Sequence, residues 1–205
     1  MTEVSINKQA RLSQHLASPS AAALSHSSEL DGLRLTPHFT LGELCKTSAK
    51  TQDGNIPSHV HIENLKRLCG WLEKLRSEYN RRYGGLPPDP SLTPNPSPKG
   101  EGNFKGEGSE YKEAPIIINS GYRSAAVNKA VGGVPSSNHL TGCAADIRVE
   151  DMQQLLRYAV ILLDIADESK EAFDELLIEK NARGAIWLHF AVRPQNNRMR
   201  IRLIH

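Results

Sequence analysis

The sequence predicts an α+β domain in which helices flank a mainly antiparallel sheet. Helical periodicity, with apolar residues every three or four positions, is strongest in two long segments. Between and after these segments lie several short apolar or alternating runs, the pattern of short strands. This order of helices and short strands is typical of an α+β domain.

The chain of 205 residues has the size of one ordinary domain with some residues to spare. Residues 1–30 are rich in Ser, Ala and Gln, and we expect a flexible tail there, followed by one domain over residues 31–205. The stretch at about 87–113 is dominated by Pro, Gly, Ser and charge, so it lacks the apolar surface that offsets the entropy of ordering. It is predicted to be a disordered insertion, with a partner-binding loop as the alternative.

In the first half of the domain, Ser58 is predicted to cap a helix whose apolar positions recur as far as Tyr79, and Gly84 to end it. Beyond the insertion, "IIIN" predicts a buried strand and "RSAAVNKAV" a short helix. "CAADIRV" alternates like a strand, which places Ala144 and Asp146 on one face.

"DMQQLLRYAVILLDIA" predicts an amphipathic helix, and three further strands are expected in "FDELLIE", "AIWLHFAV" and "RMRIRLI". The last two are predicted to form a hairpin across "RPQNN".

The overall composition narrows the possible functions. A net charge of +2 is too small to imply a nucleic-acid partner, and no apolar run is long enough to span a membrane. The N-terminus lacks the pattern of an export signal, so the sequence as written predicts a cytoplasmic location unless a precursor was trimmed or another route carries the chain. Three cysteines without CxxC spacing argue against a disulfide framework and a cysteine-built metal site.

A metal ion would explain the stretch "GGVPSSNHLTGCAADI". His139 and Asp146 can converge if the residues between them make a tight turn, which Gly142 permits. Zn²⁺ accepts imidazole nitrogen and carboxylate oxygen, and a catalytic zinc uses three protein ligands. His189 in "IWLHF" is the third candidate, because an unpaired imidazole among apolar residues would be costly. The alternatives are a hydrogen-bonded core histidine and an aspartate in a turn.

The segments "INSGYRSAAVNKAVGG", "SSNHLTGCAADI" and "WLH" together resemble the zinc D-Ala-D-Ala carboxypeptidase family and its cell-wall endopeptidase relatives, the LAS-type metallopeptidases. The family pattern S-G-Y-R-S, S-x-H-x(6)-D and W-x-H occurs in the same order. The resemblance covers roughly residues 35–86 and 114–195. It implies a Hedgehog/DD-peptidase-like fold and Zn²⁺ held by His139, Asp146 and His189.

The resemblance also implies hydrolysis of peptide bonds in the peptidoglycan stem, so stem peptides are the expected partners of a monomeric enzyme. Arg123 would hold a substrate carboxylate or carbonyl oxygen, with a structural salt bridge as the alternative. Ser137 would orient the metal loop or touch substrate, or be a plain turn residue. Trp187 would wall the site or belong to the core. Carboxypeptidase and endopeptidase activity both remain open, and either is compatible with a phage-type lysis protein or with cytoplasmic handling of wall fragments.

The position of the predicted general base differs from its position in the better-known relatives. Many of these carry Asp or Glu three residues before the last histidine ligand, where this chain has Ile186. Glu179 is the predicted base, or else a solvated charge at a strand end, and Glu175 and Asp174 are reserves. Because a strand alternates, Glu175 and Glu179 should project from the same face. The competing function is a catalytically silent, zinc-containing module that binds the cell wall or is structural, which Ile186 favours and Glu179 opposes.

Overall fold

The computed structural model describes residues 32–84 and 113–204. The predicted tail at 1–30 and nearly all of the predicted insertion at 87–113 lie outside these residues. The helices are α1 Leu41–Cys45, α2 His59–Tyr83, α3 Ala125–Ala130 and α4 Met152–Ser169, with a 3₁₀ turn at Asn138–Thr141. The strands are β1 Ile118–Ser120, β2 Ala144–Arg148, β3 Glu175–Lys180, β4 Ile186–Ala191 and β5 Arg200–Ile204.

The strands form a single sheet in the order β1-β2-β4-β3-β5. The pairs β1–β2, β2–β4 and β3–β4 are antiparallel, whereas β3–β5 is parallel. The predicted α+β class with a mainly antiparallel sheet is therefore confirmed.

The predicted hairpin between the last two strands is wrong. Strand β4 pairs with β2 along one edge and with β3 along the other, so it has no edge left for β5. The chain instead carries β5 past β4 to the outer edge of β3, where it pairs in parallel. A strand has only two hydrogen-bonding edges, and neighbours along the sequence need not be neighbours in the sheet.

Helix α2 begins and ends where the sequence predicts. The Ser58 hydroxyl accepts from the backbone N–H of His61 at 3.4 Å, and Nδ1 of His61 accepts from the backbone N–H of Ser58 at 3.3 Å. This reciprocal capping box satisfies two backbone donors that the first turn leaves without partners. At the other end, the N–H of Gly84 donates to the carbonyl of Asn80 at 2.8 Å.

One face of the sheet packs against α2 and α4 and forms the core. Ile147 of β2 and Phe190 of β4 are fully buried on this face, and the ring of Phe190 lies 5.5 Å from that of Trp71 on α2. Burial of each such side chain contributes roughly 1.5–3 kcal/mol. Because successive residues of a strand alternate, Asp146 and His189 project from the opposite face. The sheet thus separates the core from the polar site.

No helix in residues 32–84 and 113–204 has the length and apolar character needed to cross a bilayer. Cys69 and Cys143 are buried thiols, and burial raises the pKa of each.

The segment that follows the predicted insertion contacts helix α2 close to the end of that helix. The side chain of Asn80 accepts from the backbone N–H of Ala114 at 2.7 Å and donates to its carbonyl at 3.0 Å. Arg76 of the same helix pairs with Glu113 at 2.6 Å. Asn80 and Ala114, which lie outside the predicted insertion, therefore hold its two ends close together, and Arg76 adds a contact with its last residue.

We predict that deletion of residues 90–110 leaves folding nearly unchanged. Asn80 and Ala114 already hold the ends in place, and the closure entropy of a loop changes by less than about 2 kcal/mol over such a range of lengths. Thermal unfolding of the deleted and full-length chains measures the effect. A large fall in melting temperature would show that the segment packs on the domain.

Candidate metal centre

Three side chains from different elements converge on one point. Nδ1 of His189 lies 2.9 Å from Oδ1 of Asp146, and Nε2 of His139 lies 3.2 Å from the same oxygen. The two imidazole nitrogens are 3.3 Å apart. Asp146 of β2 is the register partner of His189 of β4, which brings these two ligands together directly. All three side chains are buried.

The 3₁₀ turn brings His139 to the strand pair. The Ser137 hydroxyl accepts from the backbone N–H of His139 at 3.3 Å, and the N–H of Cys143 closes the turn on the carbonyl of Asn138 at 3.0 Å. Gly142 has a φ of 70°, and a Cβ there would lie 2.6 Å from the carbonyl oxygen of His61. The predicted tight turn at Gly142 is thus confirmed, and Ser137 caps the turn that carries a ligand.

The donor set fits a zinc ion. In a tetrahedral site with bonds of about 2.0–2.1 Å, neighbouring ligand atoms are about 3.3 Å apart. The three separations here, 2.9, 3.2 and 3.3 Å, are close to this value. Burial acts to raise the pKa of Asp146, but the adjacent His139 and His189 outweigh it and hold the pKa well below its usual range. A charged carboxylate beside two imidazoles is the donor set of a catalytic zinc site.

The outer nitrogen of His139 is held by a backbone carbonyl. Nδ1 of His139 lies 2.6 Å from the carbonyl oxygen of Gly121, so the ring donates there and its Nε2 lone pair faces the other ligands. A Cβ on Gly121 would approach the carbonyl oxygen of Leu44 to 2.3 Å. Only glycine therefore allows the chain to pass close enough to α1 and still present this carbonyl to His139.

The outer nitrogen of His189 faces Glu175. Nε2 of His189 lies 3.6 Å from Oε2 of Glu175, which is longer than a direct hydrogen bond. The interaction with His189 lowers the pKa of Glu175, and Asn138 donates to the same carboxylate at 2.8 Å. Arg198 and Arg200 pair with its other oxygen at 2.8 and 3.0 Å. Glu175, a reserve for the base among the sequence predictions, thus lies behind a ligand candidate and is fixed there by Asn138 and two arginines.

Arg123 lies behind the third ligand. Its Nη2 donates to Oδ2 of Asp146, and its Nε donates to the hydroxyl of Ser120 at 2.8 Å. Oδ2 of Asp146 is thereby occupied while Oδ1 faces the two histidines. The salt bridge left open in the sequence analysis is present, and a substrate contact by Arg123 stays a prediction.

Asn55, which was not predicted from the sequence, is a buried side chain that clamps the backbone on both sides of Arg123. Its amide nitrogen donates to the carbonyls of Tyr122 at 3.2 Å and Cys45 at 2.7 Å, while its oxygen accepts from the N–H of Ser124 at 2.7 Å. The sequence "DGN" signals a turn but contains no sign of partners 67 residues away. Asn138 was missed for the same reason.

Glu179 lies on the same face of the sheet as the metal ligands. It is the register partner of Trp187, which places it diagonally beside His189, and diagonal neighbours on one face are within reach of long side chains. Burial raises the pKa of Glu179, against an opposing effect of His189. Trp187 is half-buried on this same face, whereas Ile186 projects to the opposite face and packs against the core. The site therefore has a carboxylate from Glu179 of β3, although Ile186 of β4 supplies none.

Converging histidine and aspartate side chains beside a half-buried carboxylate fit a metallopeptidase-type site. A family model described as Peptidase M15 matches residues 104–162 of the chain, less than a third of its length. This match confirms the resemblance to the zinc D-Ala-D-Ala carboxypeptidase family in the segment that contains Arg123, His139 and Asp146. His189 lies outside the matched segment and joins the site through the pairing of β2 with β4. No curated protein matches the chain.

We predict one tightly bound zinc ion per chain, and the loss of most of it in His139→Ala and in His189→Ala. Two remaining ligands hold zinc poorly because structural and catalytic sites use three or four protein ligands. Elemental analysis after dialysis measures the zinc content of each variant. His59→Ala, which removes a largely exposed imidazole, is the control and should retain the ion. Full occupancy in either ligand variant would contradict the assignment.

A second prediction concerns Glu175. Glu175→Gln should weaken zinc binding about 10- to 100-fold, the usual effect of removing a group that orients a histidine ligand. Competition with a chromogenic chelator measures this affinity. Glu171→Gln removes an exposed carboxylate that pairs with Lys74 at 3.5 Å and should leave the zinc affinity unchanged. Equal affinities in both variants would show that Glu175 does not support His189.

Proposed function

We propose that this protein is a zinc-dependent peptidase that hydrolyses peptide bonds of the peptidoglycan stem. The observation that carries the proposal is the position of Glu179, a half-buried carboxylate on the face of the sheet from which Asp146 and His189 project towards His139. A purely structural metal site does not require a neighbouring carboxylate that is not one of its ligands. The match to Peptidase M15 supports the peptidase class, and the resemblance of the motifs supports the choice of stem peptides.

Zinc, when bound by His139, Asp146 and His189, supplies Lewis acidity that polarises a carbonyl and makes water more acidic. The chain supplies the proton transfer. Glu179 accepts a proton from the attacking water and returns it to the leaving amine. Its partly buried position raises its pKa, which makes it a stronger proton acceptor than an exposed glutamate.

The other residues of this face bind or orient. Arg123 donates to one oxygen of Asp146 and leaves the other oxygen facing the histidines. The N–H groups of Arg123 that do not contact Ser120 or Asp146 would hold a substrate carboxylate or the scissile carbonyl. Ser137 holds the turn of His139, and Trp187 walls the site beside Glu179.

The proposal includes a bond next to a D-amino acid, as the resemblance implies. A carboxypeptidase would release the terminal D-Ala from a stem peptide, and an endopeptidase would release larger fragments. Mass spectrometry of the products from a defined stem peptide distinguishes the two.

The central experiment is Glu179→Gln. Glutamine keeps the size and hydrogen bonding of the side chain but accepts no proton from water, so turnover should fall about 10²- to 10⁴-fold. Zinc content and melting temperature should stay near the wild-type values, because Glu179 is not among the three converging ligands. Hydrolysis of the stem peptide is followed by chromatography at saturating zinc.

Glu175→Gln is the matched comparison, since this residue lies on the same strand face but next to His189. At saturating zinc it should retain most of the turnover. If Glu175→Gln abolishes turnover and Glu179→Gln does not, the two roles are reversed. If wild-type protein with zinc hydrolyses no stem peptide, the silent wall-binding or structural module is the correct function.

A further inference from the structure

The sheet face that carries Asp146 and His189 is covered on one side of these two ligands. There the 3₁₀ turn lies against the face, and its Asn138 donates to Glu175 of β3 at 2.8 Å. On the other side of the ligands, the next row across the sheet consists of three residues that lie opposite one another on β2, β4 and β3, namely Arg148, Trp187 and Glu179. Because residues two apart on a strand share a face, this row lies on the same face as the ligands.

The exposure of the side chains increases from the ligands to this row. Asp146 and His189 are 7% and 6% exposed, whereas Trp187 and Glu179 are half-buried and Arg148 is exposed. The site therefore opens towards solvent over the row. A substrate that reaches the ligands from this side passes Arg148.

The guanidinium of Arg148 is available to a ligand. Within residues 32–84 and 113–204 its side chain forms no hydrogen bond or ion pair, whereas Arg123 is paired with Asp146. The backbone N–H of Arg148 donates to the carbonyl of Ile117 at 2.8 Å, so the backbone that carries this side chain is fixed. All N–H donors of the guanidinium can therefore be used to bind a carboxylate.

Trp187 lies between Arg148 and Glu179 on the central strand of the three. Neighbouring strands are about 4.7–4.9 Å apart, so the backbones of Arg148 and Glu179 are separated by about 9.4–9.8 Å. In the part of the chain that the structure describes, the two side chains form no ion pair. The guanidinium and the predicted base therefore border the same space, and one substrate can contact both.

The distance from the ligands to Arg148 suits a group close to the scissile bond. Arg148 is two residues from Asp146 along β2, a separation of about 6.6–6.8 Å. A peptide spans about 3.3–3.6 Å per extended residue. A carboxylate one residue beyond a scissile bond at the ligands would thus lie between these ligands and the backbone of Arg148, where a long side chain can reach it.

We propose that Arg148 is a specificity-determining residue that binds a carboxylate on the residue released by hydrolysis. The inference rests on the proposed peptidase function and names the cation that selects the substrate. The guanidinium forms a two-pronged contact with the carboxylate. Arg123 already donates to Ser120 and Asp146, so its remaining N–H groups are assigned to the scissile carbonyl. The carboxylate is either the C-terminal one, as in carboxypeptidase activity, or one on a side chain.

Three N-blocked stem peptides with the same scissile bond test this role. In the first the released residue has a free C-terminal carboxylate, in the second it has a C-terminal amide, and in the third it has the amide and an acidic side chain. With wild-type protein, KM should be about 10-fold lower for the first or the third peptide than for the second, as expected for a hydrogen bond to a charged group. Which of the two is preferred identifies the source of the carboxylate.

Arg148→Gln should raise KM for the preferred peptide about 10-fold, leave KM for the neutral peptide unchanged, and leave kcat for all three near the wild-type value. Arg148→Lys, which keeps the charge but not the planar fork, should retain part of the preference. Because Arg148 is exposed, these variants should fold. Lys180→Gln is the control: it removes the same charge from an exposed position on the opposite face of β3 and should leave the preference intact.

The role of Arg148 is overturned if wild-type protein does not distinguish the three peptides, or if Arg148→Gln impairs all three equally. It is also overturned if Lys180→Gln reduces the preference as much as Arg148→Gln does, which would mean that net charge alone attracts the acid.

Calorimetric binding of the three peptides separates this inference from the peptidase function. The measurement uses zinc-loaded Glu179→Gln, in which hydrolysis is slow, with and without Arg148→Gln. If wild-type protein hydrolyses none of the peptides but an acid binds more tightly and loses this advantage in Arg148→Gln, the proposed function fails and the carboxylate site stands. If the peptides are hydrolysed and Arg148→Gln changes neither KM nor binding, the function stands and the role of Arg148 is wrong.

Discussion

The pairing of β2 with β4 is the constraint on which the rest of the site depends. In this register Asp146 lies directly opposite His189, and Oδ1 of Asp146 comes within 2.9 Å of Nδ1 of His189. No loop is needed to bring these two ligand atoms together. A shift of one residue in either strand would turn one ligand into the core and expose a core residue in its place. The buried residues Ile147 and Phe190 on the other face resist such a shift, so the hydrophobic core also sets the metal geometry.

Each of the three ligands is supported from behind by a different part of the chain. Gly121 and Arg123 hydrogen-bond to His139 and Asp146, and Glu175 lies 3.6 Å from the outer nitrogen of His189. Two buried asparagines secure these supports in turn: Asn55 clamps the segment that contains Gly121 and Arg123, and Asn138 contacts Glu175. A buried polar network of this kind is stabilising only when its members are satisfied. This requirement accounts for the small residues around the site, which let backbone groups approach closely.

The sequence was most informative where the contacts are local or periodic. The cap of α2, the turn at Gly142 and the alternation of β3 and β4 follow from neighbouring residues, whereas the three ligands were predicted from motifs that occur in the order of a known family. The partner of β5 did not follow, because it depends on which sheet edges are already occupied. The roles of Asn55, Asn138 and Glu175 were equally hidden, since each depends on partners more than 35 residues away or on another strand. Long-range polar contacts leave no periodic signal in a single sequence.

His139 from a turn, together with Asp146 and His189 from paired strands, is expected to hold a zinc ion. X-ray absorption at the zinc edge of the reloaded protein tests this most directly. The account predicts a first shell of nitrogen and oxygen at about 2.0–2.1 Å, with the outer-shell scattering of two imidazoles. A sulfur contribution at about 2.3 Å, or a shell of oxygen without imidazole, would contradict it and place the metal elsewhere in the chain.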